Sequence, residues 1–133
     1  MENIKWDDTF SVGVELIDEQ HKMLIKKLYS LSEAIEKGAG ELETVKALDF
    51  MTNYTDFHFS AEEELMEKHS YPELENQKEK HAEFKGYLKQ LVEDFQEEGP
   101  TKTFVNSVNV YLINWLIKHI KGEDLKIGEF LKS

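Results

Sequence analysis

Three glycine or proline breaks, at Gly38-Ala39-Gly40, Tyr71-Pro72 and Gly99-Pro100, divide this 133-residue chain into four segments of sustained helical period. In the first, beginning at Asp18 as N-cap, Met23, Leu24, Leu28, Leu31 and Ile35 recur at three- and four-residue intervals. The second runs from near Leu42 through Val45, Leu48, Phe50, Tyr54, Phe57, Leu65 and Met66, and stops before Pro72 because proline cannot continue a helix interior. Proline is tolerated in a first turn, so Pro72 is expected to open the third, which carries Phe84, Tyr87, Leu88, Leu91, Val92 and Phe95. The fourth spans about Lys102 to Lys121, with Phe104, Val108, Tyr111, Leu112, Trp115 and Leu116, and a short amphipathic helix follows over Leu125 to Leu131. Short connections force neighbouring helices to run in opposite directions. The expected fold is therefore all-α: a single domain over residues 1–133, an antiparallel up-down-up-down four-helix bundle preceded by an extended arm, Trp6 to Val14, that packs as a lid.

Charge and cysteine content narrow the chemistry. Sixteen basic residues against 27 acidic ones give a net charge of −11, which repels phosphate and disfavours nucleic acid or an anionic membrane as partner. The plainest use of that charge is solubility. There is no cysteine, so any metal must sit on nitrogen and oxygen. The start, Met1-Glu2-Asn3-Ile4-Lys5, lacks the pattern of a signal peptide, and no apolar run is long enough to span a bilayer. The expected compartment is the cytoplasm.

Residues able to hold a metal are spread over all four helices. His58 and Glu62 are four apart and share a face, so a nitrogen and a carboxylate can reach one ion. His119 and Asp124 straddle the expected end of the fourth helix, where Gly122 is expected to let the chain turn the carboxylate inward. His21 and His81 lie on the first and third helices. Each histidine alone has an ordinary reading as a hydrogen-bonded core or boundary residue. Together they match the way bundle cores host paired metals on imidazole and carboxylate, a donor set suited to iron, manganese or zinc.

The arm Trp6-Asp7-Asp8-Thr9-Phe10-Ser11-Val12-Gly13-Val14 followed by Ile17-Asp18-Glu19-Gln20-His21, the motif His58-Phe59-Ser60-Ala61-Glu62, the break Tyr71-Pro72, and His119 with Asp124 resemble the bacterial members of the hemerythrin family over nearly the whole chain. The resemblance implies two iron ions with a bridging oxo or hydroxo group. It places His21 and His58 on the iron that binds molecular oxygen, His81 and His119 on the second, and Glu62 and Asp124 between them. It also places Leu24, Phe59, Met66, Trp115 and Leu116 around the oxygen pocket, where an ordinary bundle core would equally use them.

One position departs from the pattern. The family's H-x-x-x-H on the third helix has Gln77 as its first member here, in Gln77-Lys78-Glu79-Lys80-His81. A glutamine amide is a poorer donor than imidazole, and Gln77 is expected to be a weak or lost metal ligand: it coordinates, binds a water, or leaves a position open. His69 is expected on the surface, and Glu73 lies too near a helix end to replace the missing imidazole. The function the resemblance implies is reversible oxygen binding for storage, delivery or sensing, a carrier rather than a catalyst. The alternative is a di-iron oxidase, peroxidase or nitric-oxide-reducing enzyme, favoured by the change at Gln77. The sequence names no protein partner.

Overall fold

The computed structural model describes residues 4–38 and 41–132, so Ala39 and Gly40 of the first expected break lie outside the described residues. Apolar faces at helical spacing produce α1 (Glu15–Glu36), α2 (Glu41–Lys68) and α3 (Leu74–Glu98). A fourth helical run is built from α4 (Lys102–Ser107), a π-helical segment Val108–Asn114, α5 (Trp115–His119), a second π segment Ile120–Asp124, and α6 (Leu125–Lys132). α1 packs on α2, α2 on α3, and α3 on the start of the fourth run, which is the expected all-α, up-down-up-down bundle. One half holds an apolar core of Leu28, Leu31, Leu48, Leu88, Leu91, Phe95, Phe104 and Val108.

The caps account for the later breaks and correct two of the expectations. α1 starts at Glu15, ahead of Asp18. Asp18 is not an N-cap; it reaches back to the arm, accepting from Ser11 Oγ at 2.6 Å and from the Val12 amide at 2.8 Å. Pro72 does not open α3, which begins at Leu74. It lies instead in a turn entered through Ser70 at φ 54°, where the Tyr71 amide closes α2 on the Met66 carbonyl at 2.9 Å. Gly99, at φ 74°, ends α3 in a conformation that suits glycine, and the Thr101 hydroxyl caps α4 by accepting from the Phe104 amide at 3.0 Å.

The fourth run does not stop near Lys121. Its backbone stays helical through Ile120 and Leu125, and Gly122 sits inside the second π segment rather than at a break. The tail is thus a continuation of the same helix.

On α2 the buried face is Thr44, Leu48, Met51, Thr55, His58, Phe59, Glu62 and Met66. Leu42, Phe50 and Phe57, expected within the apolar stripe, are 65%, 37% and 58% exposed. Apolarity misplaced that stripe because the face turned inward carries threonine, histidine and glutamate.

The arm carries a 3-10 turn, Asp8–Phe10, that rests against the second π segment and buries Phe10, with Lys121 Nζ 4.7 Å from the centre of its ring. Gly128 lets the arm close down: a Cβ there would lie 1.8 Å from the Val12 carbonyl oxygen.

Candidate metal centre

The bundle brings His21, His58, Glu62, His81, His119 and Asp124 together in its interior, all of them buried. His21 comes from α1, His58 and Glu62 from α2, His81 from α3 and the last two from the fourth run. His58 and Glu62, four apart, meet at 3.2 Å as helical spacing dictates. His119 and Asp124 are five apart, and in a regular α-helix they would point about 140° away from each other. The second π segment removes that offset. The Leu125 amide bonds the Ile120 carbonyl five residues back, and the wider turn sets His119 Nε2 3.2 Å from Asp124 Oδ1.

The two carboxylates divide their oxygens. Glu62 Oε2 faces His21 Nε2 and His58 Nε2, each at 3.2 Å, while its Oε1 faces His81 Nε2 at 3.1 Å. Asp124 Oδ2 faces His21 Nε2 at 3.0 Å, and its Oδ1 faces His119 Nε2. Two donor sets result, each with two imidazole nitrogens and two carboxylate oxygens, joined by the carboxylates they share.

Burial alone would push the Glu62 carboxyl up, but the imidazoles of His58, His21 and His81 hold it well below the usual carboxylate range. Asp124 is raised by burial and by Glu62, and lowered further by His119 and His21. Burial disfavours a charged His21, yet the Asp124 and Glu62 carboxylates raise its pKa to about 10; Glu62 and Glu63 raise His81 in the same way. The two buried carboxylates thus favour positive charge beside them, which a bound metal ion would supply.

A metal ion fits these residues on an observation of the structure itself. Nε2 of His58, His81 and His119, and Oε1 of both Glu62 and Gln77, are buried without a hydrogen-bond partner. Their neighbours are close but not aligned for hydrogen bonding. Such orphaned atoms are costly unless something else satisfies them. Separations of 3.0 to 3.2 Å are those of adjacent ligands held about 2.1 Å from a common ion.

The imidazoles are steadied from behind by two residues that spacing did not reveal. His58 Nδ1 pairs with Gln20 Oε1 at 2.7 Å, and His81 Nδ1 with Glu63 Oε2 at 2.7 Å. Both partners adjoin a ligand in sequence, but Glu63 is one of three successive glutamates, so sequence alone does not single it out. Gln77 is buried among the cluster and donates from Nε2 to Asp124 Oδ1 at 3.2 Å. His69 and Glu73 are exposed, outside the cluster.

Of the expected pocket residues, Leu24, Phe59, Met66 and Leu116 are buried and Trp115 is half-buried. Phe59 stacks on His81 at 3.8 Å between ring centres, and Trp115 on His119 at 4.5 Å. Trp115 Nε1 is anchored to Glu83 at 2.8 Å.

The model of the hemerythrin HHE cation binding domain matches residues 12–131. A myohemerythrin from Theromyzon tessulatum is 32% identical over 94% of this chain and 91% of its own. A bacteriohemerythrin from Stenotrophomonas maltophilia is 29% identical over 96% and 81%. The solved structure of a leucine-to-phenylalanine mutant protein superimposes with a TM-score of 0.87 and 25% identity, covering 100% of both chains.

Proposed function

We propose, given that this chain belongs to the hemerythrin family, that its buried cluster holds two iron ions and binds molecular oxygen reversibly. The observation that carries this reading is the division of the Glu62 and Asp124 oxygens between two imidazole pairs. A cluster serving one ion has no need for both oxygens of both carboxylates to face different histidines. In this reading His21 and His58 hold one ion, His81 and His119 the other, and Glu62 and Asp124 bridge them.

Iron supplies the electrons and the binding position for oxygen; the chain supplies geometry and dryness. Gln20 and Glu63 fix the imidazoles of His58 and His81. Leu24, Phe59, Met66 and Leu116, with half-buried Trp115, keep water from the donors. The role is storage, delivery or sensing of oxygen in the cytoplasm.

A second reading, turnover as an oxidase, peroxidase or nitric-oxide-reducing enzyme, draws on one observation. A surface pocket of about 220 Å³ is lined by Lys80, Glu83, Trp115, Lys118, Glu123 and one of the candidate ligands, His119. It offers small reactants a route to that side of the centre.

The test is the iron content of anaerobically purified protein, with visible spectra recorded before and after oxygen is admitted and again after it is removed. Two irons per chain and a band that comes and goes with oxygen are expected. No iron, or no oxygen-dependent change, overturns the carrier reading. Continuous oxygen consumption with a reductant favours the enzyme.

A further inference from the structure

We propose that Gln77 is itself a metal ligand, with Oε1 as the fifth protein donor to the ion on the His81 and His119 side; this rests on the two-metal reading above. The orientation of its amide follows from chemistry. A carboxylate can only accept, so the group facing Asp124 Oδ1 at 3.2 Å is the Gln77 NH₂. Oε1 must then point elsewhere, and it is buried with no partner. Gln77 lies four residues before His81, on the same face of α3, so both side chains approach one position. A glutamine carbonyl oxygen stands about as far from the backbone as an imidazole nitrogen, three bonds beyond Cβ.

The hydrogen bond to Asp124 therefore does two things. It engages the NH₂ group, and it turns the oxygen away from Asp124 Oδ1, leaving it unpartnered and open to an ion held by His81 and His119. The two halves of the centre become unequal: two nitrogens and two oxygens on the His21 and His58 side, two nitrogens and three oxygens on the other. Carbonyl oxygen is a harder donor than imidazole. The Gln77 half accordingly tolerates Mn²⁺ in place of Fe²⁺ and discriminates less in favour of Zn²⁺ than an all-histidine half would.

The experiment loads the full-length protein anaerobically with Mn²⁺ or Zn²⁺, moves it into excess chelator, and counts ions retained per chain against time. Gln77→Leu removes the oxygen, and Gln77→Asn keeps an amide too short to reach; circular dichroism reports whether each variant keeps its helices. Both variants are expected to release one of the two ions about ten-fold or more faster than wild type, and the other only slightly faster because the bond to Asp124 is lost as well. If Gln77 acted only by steadying Asp124, which faces both halves, both ions would loosen together, and that result overturns the proposal. Wild-type release in both variants overturns it as well. Gln77→His is expected to slow release of that ion more for Zn²⁺ than for Mn²⁺; equal slowing removes the claim about ion preference. A wild-type protein that takes up no metal overturns instead the two-metal reading on which this stands.

Discussion

The two halves of the bundle are built from the same four helical runs but obey opposite rules. Around Leu28, Leu31, Leu91, Phe95 and Phe104 the interior is mainly apolar, and burial of that surface is the chief force holding the helices together. Around Glu62 and Asp124 the interior holds four histidines, two carboxylates and an amide, several of whose atoms have no hydrogen-bond partner. The first half stabilises the fold, whereas the second draws on that stability until a metal compensates its buried polar atoms. Substitutions in the two halves should therefore register differently.

The largest effect is expected in the apolar half. Phe95 is buried and packs on Phe104 with ring centres 5.1 Å apart. Phe95→Ala should cost about 3–5 kcal/mol of stability, the same with and without metal, as measured by urea unfolding. A cost that depended on metal would show that the two halves are coupled and break the comparison.

Metal removal comes next. If the polar half relies on its ions, free metal at about a hundred times its dissociation constant stabilises the fold by about 2.7 kcal/mol for each ion bound. Equal denaturation midpoints for metal-free and metal-loaded protein would mean that the orphaned atoms find partners some other way.

Smaller still is the effect of Glu63→Gln. The His81 imidazole loses its anionic partner and keeps a neutral one, so metal on that side should bind about ten- to a hundred-fold more weakly while the metal-free fold is little changed. Competition against a chelating dye reads the affinity; an unchanged value would leave Glu63 as a surface partner only. The smallest effect is at the α4 N-cap, in the apolar half: Thr101→Ala should cost about 1 kcal/mol and leave metal affinity untouched. Loss of metal affinity there would contradict the division between the halves.

Four helical segments, the breaks at Tyr71-Pro72 and Gly99-Pro100, and the histidines and carboxylates that meet in the interior are legible in the sequence. Periodicity and chain breakers are local properties, and a motif with its spacing survives wherever the helices end up. What the sequence misread was also physical. Apolarity put Phe50 and Phe57 on the buried stripe of α2, whereas Thr44 and Thr55 face inward. Asp18 had the chemistry of an N-cap, and only the folded arm, with Ser11 and Val12 in reach, gives it another use.

Tertiary structure alone decided the rest. The widened turn at Ile120–Asp124 brings His119 and Asp124 onto one face, although five-residue spacing does not do so in a regular helix. Gln20 and Glu63 become the supports of His58 and His81 because of which neighbouring helix each one meets. The direction of the Gln77 oxygen depends on a carboxylate 47 residues along the chain. Sequence spacing fixes which side chains share a face, whereas the distance and orientation between faces are fixed only when the helices pack.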